Sequence, residues 1–454
     1  AFFQFPATIL PSALSVFLFY YYEVILGLNA WYIFLALTIF TVYDAVNDPI
    51  LGFLVDRNTK LTRRFGRRFP WIVIGVVPWC LSLYLIFSAP DVDGSSNPWP
   101  IFWWLLFSLF IFDTFGSLVQ VNLGVLRPDL FRTEEERRKL SKYFMPIDMV
   151  AQAIGLVIPP LFLSAGAGRE GFAFMGAMVA FIALIGGLLF LPGAREDKVV
   201  IDRYYTGEYE RMTFFKGIKE VVKQKSFIVY FIFVTAWVAS TSIMMGNTIY
   251  IIVFVARAST DDITLIFVAL LLGALISIPF WLKILKTMNN NKKVGAIGGF
   301  LVSAAMVPIT FFQTTLDLLI IIFILGFCLG SLWAFIYTII AANVQDDYAV
   351  RTKKDQKAIL VGASAFFGRL AATIDELIIA IVHNLTGFVP GKESYAELAA
   401  AVADIHLVLW GIRLLAGVIP AIVMFIGTLI FWKYYPLTQD VVLKNKEQLE
   451  KLGI

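Results

Sequence analysis

The residues best suited to chemistry stand in one short stretch, Tyr43-Asp44-Ala45-Val46-Asn47-Asp48-Pro49-Ile50-Leu51-Gly52. Asp44 and Asp48 are spaced i,i+4 with Asn47 beside them, so on a helix all three share one face. Two carboxylates and an amide oxygen are hard ligands, suited to sodium, lithium or a proton. The alternative reading is a helix-end cluster paired with basic residues. Two further ionisable residues stand in apolar surroundings: Asp113, in Phe110-Ile111-Phe112-Asp113-Thr114, and Arg369, in Phe366-Phe367-Gly368-Arg369-Leu370. Asp44 lies 13 residues before Arg57, Asp113 lies 14 before Arg127, and Arg369 lies 12 after Lys357. At ~1.5 Å per helical residue these spacings are all roughly 20 Å. The three charges thus reach a common depth, near the middle of a hydrocarbon layer about 30 Å thick. Ionisable groups at that depth are functional candidates, expected to face a shared cavity; a purely structural ion pair is the alternative.

The rest of the chain must hold these groups in place. Of its 454 residues, 59% are hydrophobic and 15% charged, and the mean hydropathy is +0.79. A soluble domain has about 45–50% apolar and about 25% charged residues. The excess excludes a soluble enzyme, a disordered chain and a disulfide scaffold, and leaves an all-α polytopic membrane protein. Twelve stretches are long enough to span: 6–26, 30–54, 70–89, 100–125, 143–164, 171–192, 226–254, 262–282, 294–313, 316–342, 357–384 and 406–432. Six and six, separated by a polar stretch, match the layout of the major facilitator fold. The expected division is an N-terminal six-helix bundle 1–192, a cytoplasmic central loop 193–225, a C-terminal bundle 226–432 and a cytoplasmic tail 433–454. Of the 37 Lys and Arg, 32 flank the spans on one side and only Arg169, Arg257 and Lys392 on the other. That asymmetry places both termini in the cytoplasm of a multi-pass plasma-membrane protein. The basic excess is a topology signal, which argues against nucleic acid as a partner. With no Lys or Arg before Arg57, the chain does not open on the basic region of a signal peptide.

Cys80 and Cys328 stand in apolar runs and read as buried thiols; with His383 and His406 they give no metal-ligand spacing. No nucleotide loop or nucleophile motif is present, so no enzyme activity, no metal beyond a coupling cation and no cofactor is expected. Asp148 is expected near the cytoplasmic end of the fifth span, paired with Lys142 or Arg138. Asp375 and Glu376 lie towards the outer end of the eleventh span, where Arg413 could pair with either. Tyr21, within Tyr20-Tyr21-Tyr22, and Trp333 could stack on a sugar, although aromatics in apolar helices more often pack or mark the interface.

The second span also carries a family pattern. Asp44-Ala-Val-Asn-Asp-Pro-Ile-Leu-Gly52, followed by Asp56-Arg57 and Arg64-Phe-Gly-Arg-Arg-Phe-Pro-Trp71, resembles the glycoside–pentoside–hexuronide:cation symporter family. Tyr20 to Leu28, Leu126-Arg-Pro-Asp129 with Glu136-Arg137, Gly387-Phe-Val-Pro390, Gly411-Ile-Arg413 and Tyr434-Tyr-Pro-Leu437 extend the resemblance over essentially the whole chain. It implies that Asp44, Asn47 and Asp48 are coupling-cation ligands and that Asp113 serves both cation and sugar. Arg369 falls where melibiose-type members have a lysine, and Trp333 on their tenth-span tryptophan. Thr8, Ser117, Met145 and Phe110 depart from the pattern: they stand at or near the places of an acidic sugar ligand, a tryptophan, an arginine and a threonine cation ligand. That family also resembles the animal sodium-dependent lysophospholipid symporters, which keeps an amphiphilic substrate open. Gly52, Asp56, Arg57, Arg67 and Arg68 resemble the gating loop general to facilitators, in which Asp56 would latch one state.

The expected function is cation-coupled symport, with sodium or protons, of a sugar or glycoside by alternating access, in a monomer. The alternatives are a cation-coupled carrier of an amphiphile such as a lysophospholipid and, in another class, a non-transporting membrane receptor or scaffold. A scaffold has no need of two carboxylates and an arginine at one depth.

Overall fold

Hydrocarbon offers the backbone no hydrogen bonds, so each apolar stretch must satisfy its own N–H and C=O groups, which a helix does. In a computed structural model of the chain, the described residues are 2–55, 66–130, 134–163, 168–196, 221–258, 260–335, 339–352 and 357–452. The long helices are α1 Gln4–Tyr20, α2 Ala30–Val55, α3 Phe69–Phe87, α4 Pro98–Leu130, α5 Glu134–Leu161 and α6 Gly168–Phe190, then α7 Lys225–Gly246, α8 Thr260–Met288, α9 Asn291–Met306, α10 Thr315–Phe335 and α11 Lys357–Thr386. The last, α12, runs through Ile405–Ala416 and Val418–Tyr434 with a break at Gly417. Among the described residues ten helices are long and apolar enough to cross a membrane, and α5 adds a shorter apolar segment, Pro146–Leu161. α11 is 30 residues long; Arg369, Asp375 and Glu376 interrupt its apolar run. Three shorter amphipathic helices, Ala341–Thr352, Tyr395–Ala401 and Gln439–Leu452, lie in the connections and the tail.

The helices form two compact units. The first comprises Ala1–Glu210 with Ser259–Thr264 and Gly387–Ala403; the second comprises Arg211–Ala258, Leu265–Thr386 and Asp404–Ile454. The segment after α11 thus packs with the first unit, where the Gly391 N–H donates to Glu23 O at 3.0 Å. The opening helix of each unit ends alike: α1 runs into a π-helical turn at Tyr21–Ile25, and α7 continues through Thr248–Tyr250 into another at Ile251–Ala256. In α8 and α10, a Cβ on Gly273 would strike Phe323 O and one on Gly326 would strike Leu270 O. Small residues at such crossings let backbones approach where no hydrophobic force drives helices together.

α2 shows how a membrane helix orients polar groups. Val42, Val46 and Ile50 repeat at i,i+4 and are 59%, 54% and 52% exposed, a stripe suited to lipid. Thr41, Asp44 and Asn47 on the other side are buried. The pattern is that of a soluble helix turned inside out: the apolar face looks outward and the polar face packs within the unit.

Candidate functional site

The polar face of α2 packs on α4. Asn47 Nδ2 donates to Asp113 Oδ2 at 2.9 Å. An ionised carboxylate is acceptor-only, so this contact commits the amide nitrogen and leaves Oδ1, the atom able to ligate a cation, on the other edge of the amide. Asp44 is 7% exposed and lies one turn before Asn47, while Asp48 is half-buried beside it. Ser117 Oγ donates to the second oxygen of Asp113 at 3.5 Å. One turn before Asn47, Tyr43 stacks on Phe110 with ring centroids 4.0 Å apart, and its hydroxyl lies 2.6 Å from Thr114 Oγ1. This clamp fixes the rotation of α2 against α4, and with it the aim of Asp44 and Asp48. Phe110, which stands in the place of a threonine ligand, is here part of the clamp.

The structure thus brings Asn47 and Asp113 into direct contact, with Asp44 and Asp48 on the same face. Of the other expected site residues, Tyr21 is fully buried. Its ring stacks on Phe172 at 5.1 Å and its hydroxyl accepts the Ala89 N–H at 3.3 Å, so it is packed as core with no face open to a ligand. Trp333 is half-buried near the end of α10. Arg369 lies on α11, but its side chain falls outside the described residues, as do Asp56 and Arg57. Gly52 lies in the last turns of α2.

Two expected pairings are corrected. Arg413 pairs with neither Asp375 nor Glu376. It donates to Thr310 O at 2.9 Å and Phe312 O at 3.0 Å and lies over the Phe312 ring. Pro308 ends α9 in a short 3-10 turn, Val307–Thr310, which turns these carbonyls out of any helical ladder. Asp148 takes its hydrogen bonds from α1, from Gln4 Nε2 at 2.8 Å and Thr8 Oγ1 at 2.6 Å. The Arg138 and Lys142 side chains lie outside the described residues. With Ser12 approaching Gln152 Oε1 at 3.5 Å, Gln4, Thr8 and Ser12 repeat at i,i+4 along α1 opposite Asp148 and Gln152 on α5. Sequence reasoning misses this polar seam because its α1 members are neutral; the i,i+4 repeat of small polar residues is the available signal. Thr8, which replaces an acidic ligand in the pattern above, is here the donor to a carboxylate supplied by α5.

The loop expected to gate is tied within its own unit. Glu196, 6% exposed, accepts the backbone N–H groups of Arg67 at 3.0 Å, Arg68, and Phe69 at 3.0 Å, at the start of α3. These are the N–H groups a helix start leaves unsatisfied, and its dipole favours an anion there. Gly66 has φ +92°, and a Cβ there would collide with the Glu196 side chain. The Arg68 guanidinium reaches Asn122 on α4 at 3.3 Å. We expect Glu196→Ala to lower stability by about 1–3 kcal/mol by leaving buried donors unpaired. Glu196→Gln should cost less, since its amide oxygen still accepts, and Gly66→Ala should destabilise by strain. Thermal unfolding in detergent checks all three; unchanged midpoints would show that the carboxylate does not hold the loop.

The described cavities of the first unit include one of about 200 Å³ at the C-terminal end of α4, with Phe3, Leu123, Arg127, Leu140, Phe144 and Phe190 among its walls. The Arg127 guanidinium lies 5.1 Å from the Phe3 ring centre and 5.2 Å from that of Phe144. Burial holds it below the usual arginine range, as expected of a cation partly removed from water. Among the described residues, no cluster of three or more His, Cys, Asp and Glu could hold a metal ion, and both cysteines are free and buried.

The family model described as MFS/sugar transport protein matches residues 1–439. The chain belongs to that family. This MFS protein is a multi-pass membrane transporter, and its relatives and fold neighbours are transporters too. A sodium-dependent lysophosphatidylcholine symporter 1-B of Danio rerio is 23% identical, over 98% of this chain and 87% of that one. The corresponding symporter 1 of Gallus gallus is 24% identical over 97% and 86%. A sphingosine-1-phosphate transporter of Xenopus tropicalis is 22% identical over 96% and 86%. Among solved structures, a nucleoside transporter superposes with TM-score 0.58 at 13% identity, over 95% of this chain and 98% of that one. A D-xylose–proton symporter gives 0.55 at 13% identity over the same shares. These two likenesses carry the fold alone.

Proposed function

We propose that this transporter is a sodium-coupled symporter of a single-chain amphiphile with a phosphate-bearing head. The observation that carries the reading is the conjunction of relatives with the α2–α4 geometry. Relatives matched over nearly the whole chain are named for sodium-dependent lysophosphatidylcholine symport, and here the Asp44, Asn47 and Asp48 face meets Asp113. Of the two substrate classes open from the sequence, the amphiphile has the better support. The narrower expectation of a glycoside symporter draws on the second-span motif, which serves the cation and does not select a sugar. The cavity around Arg127 favours the same class, since mostly apolar walls with a cation among those described suit an anionic head on a hydrocarbon chain.

In this reading sodium binds the α2 carboxylates with Asn47 Oδ1, while Asp113 holds the amide in place. Neutralising those carboxylates favours the substrate-binding conformation, and by linkage substrate and sodium raise each other's affinity. Transport proceeds by alternating access, with both termini cytoplasmic as the flanking charges indicate. The test is flux into proteoliposomes of a lysophospholipid and of a panel of glycosides, with and without a sodium gradient. Sodium-driven lysophospholipid flux is expected; flux of glycosides alone would return the substrate to the sugar class.

Arg369 is assigned to the head group at half-depth. It lies too far from the nearest cytoplasmic charge to snorkel out along the helix, and its planar fork gives a phosphate two parallel hydrogen bonds. Arg369→Lys should weaken lysophospholipid binding to purified protein roughly tenfold, since a point ammonium cannot reproduce the fork. Arg369→Ala should be worse. Equal affinities across the three proteins would make Arg369 structural.

A further inference from the structure

The mechanism above leaves two membrane-buried carboxyl groups unused. Asp375 and Glu376 are neighbours on α11. Asp375 is 4% exposed, and its Oδ1 has no hydrogen-bond partner among the described residues; the same holds for Glu376 Oε2, likewise enclosed. From the neighbouring helices, Ser242 on α7 stands beside Asp375.

α11 packs against α7, against the Ile405–Ala416 part of α12 and against the short helix Ala341–Thr352. α7 contributes Ser242 at this level, while its basic residue, Lys225, stands in its first turn. Ile405–Ala416 contributes His406, in its first turn, and Arg413, which is committed to the Thr310 and Phe312 carbonyls. In Ala341–Thr352, Arg351 lies over the Tyr348 ring and Asp347 accepts from Gln224 and Ser226, alongside Asp346. On α11 itself His383 packs on Tyr250 with ring centres 4.9 Å apart. Arg369, two turns back, has its side chain outside the described residues.

Two adjacent carboxylates in a membrane helix, with two oxygens enclosed and unbonded, cannot both stay ionised at reasonable cost. The missing partner is a small cation, and the helix decides which. Residues i and i+1 project about 100° apart and do not converge on one point, so the pair with Ser242 cannot assemble the six to eight oxygens of a hard-cation shell. A proton needs only one carboxyl oxygen.

We propose that Asp375 and Glu376, on α11 of the second unit, form a proton-binding site that holds at least one proton at neutral pH. The pair then titrates as one coupled site. The site makes the transporter responsive to pH whatever its substrate, and it stands if the sodium–amphiphile reading fails.

The experiment is infrared difference spectroscopy of the purified protein in lipid nanodiscs, titrated between about pH 5 and about pH 9, the range over which a buried carboxyl titrates, in saturating sodium. Saturating sodium removes the α2 carboxyls from the carboxylic-acid carbonyl band if they bind sodium, and the substitutions below assign the band whether or not they do. Wild type should keep such a band at neutral pH and lose it on alkaline titration. Glu376→Gln should remove one carboxyl's share of it, and Asp375→Asn should shift its midpoint. Asp44→Asn should leave the sodium-insensitive band unchanged. Absence of a titrating acid band in wild type would overturn the proposal without recourse to any variant. So would a band unaffected by either substitution.

Discussion

Asp44→Asn is expected to abolish sodium stimulation of transport while the protein folds and inserts normally. The substitution keeps the shape of the side chain and exchanges one anionic oxygen for an amide nitrogen, removing the charge that draws the cation out of water. In a site partly shielded from solvent, one unit of charge outweighs several neutral ligands. Uptake at limiting sodium should fall by tenfold or more, a change of at least about 1.4 kcal/mol. Tyr43→Phe is the matching control. It breaks the contact with Thr114 but keeps the stack on Phe110, so it should lower sodium affinity only a few-fold. Asp113→Asn separates positioning from charge: its amide oxygen can still accept from Asn47, so a large loss there would mean that the Asp113 charge also acts on the cation. Uptake measured against sodium concentration and pH distinguishes these outcomes. Undiminished stimulation in Asp44→Asn, with loss in Asp113→Asn, would move the coupling charge from α2 to α4.

Charge spacing alone makes half of this site legible in the amino-acid sequence. The distances of Asp44 and Asp113 from flanking basic residues put both at one depth, and α2 and α4 do meet there, through Asn47. The reasoning works because the membrane confines ionisable groups to interior faces, so depth along the helix is nearly the only free coordinate. It fails where the partner is neutral or is backbone. Charge spacing pairs Asp148 with basic residues, yet the rotation of α5 turns it to Gln4 and Thr8. It pairs Arg413 with a carboxylate, yet a proline-broken turn offers carbonyls that no count of side-chain charges contains. Glu196 carries no signal in the sequence, since a nest of three N–H groups exists only once Gly66 takes its positive φ. The likeness between the ends of the two opening helices is equally hidden. Tyr21–Ile25 and Ile251–Ala256 both form a π-helical turn, although the first contains two tyrosines and Glu23 and the second is wholly apolar.

The second large effect is expected at Arg127. Its guanidinium stands near two aromatic rings at the edge of a cavity whose other described walls are mostly apolar. Cation–π contact with Phe3 and Phe144 offsets part of the desolvation of the charge, but neither ring can accept the fork's in-plane hydrogen bonds. A phosphate oxygen can, and bidentate charge-assisted bonds in a partly dry site are among the stronger ones available to a side chain. Arg127→Gln should therefore weaken binding of a lysophospholipid by tenfold or more, while binding of an uncharged single-chain detergent of equal length changes little. Arg127→Lys should fall between, keeping charge without the fork. The comparison of head groups is the deciding measurement. An equal loss for charged and uncharged chains would mean that Arg127 shapes the apolar walls through Phe3 and Phe144 and does not read the head.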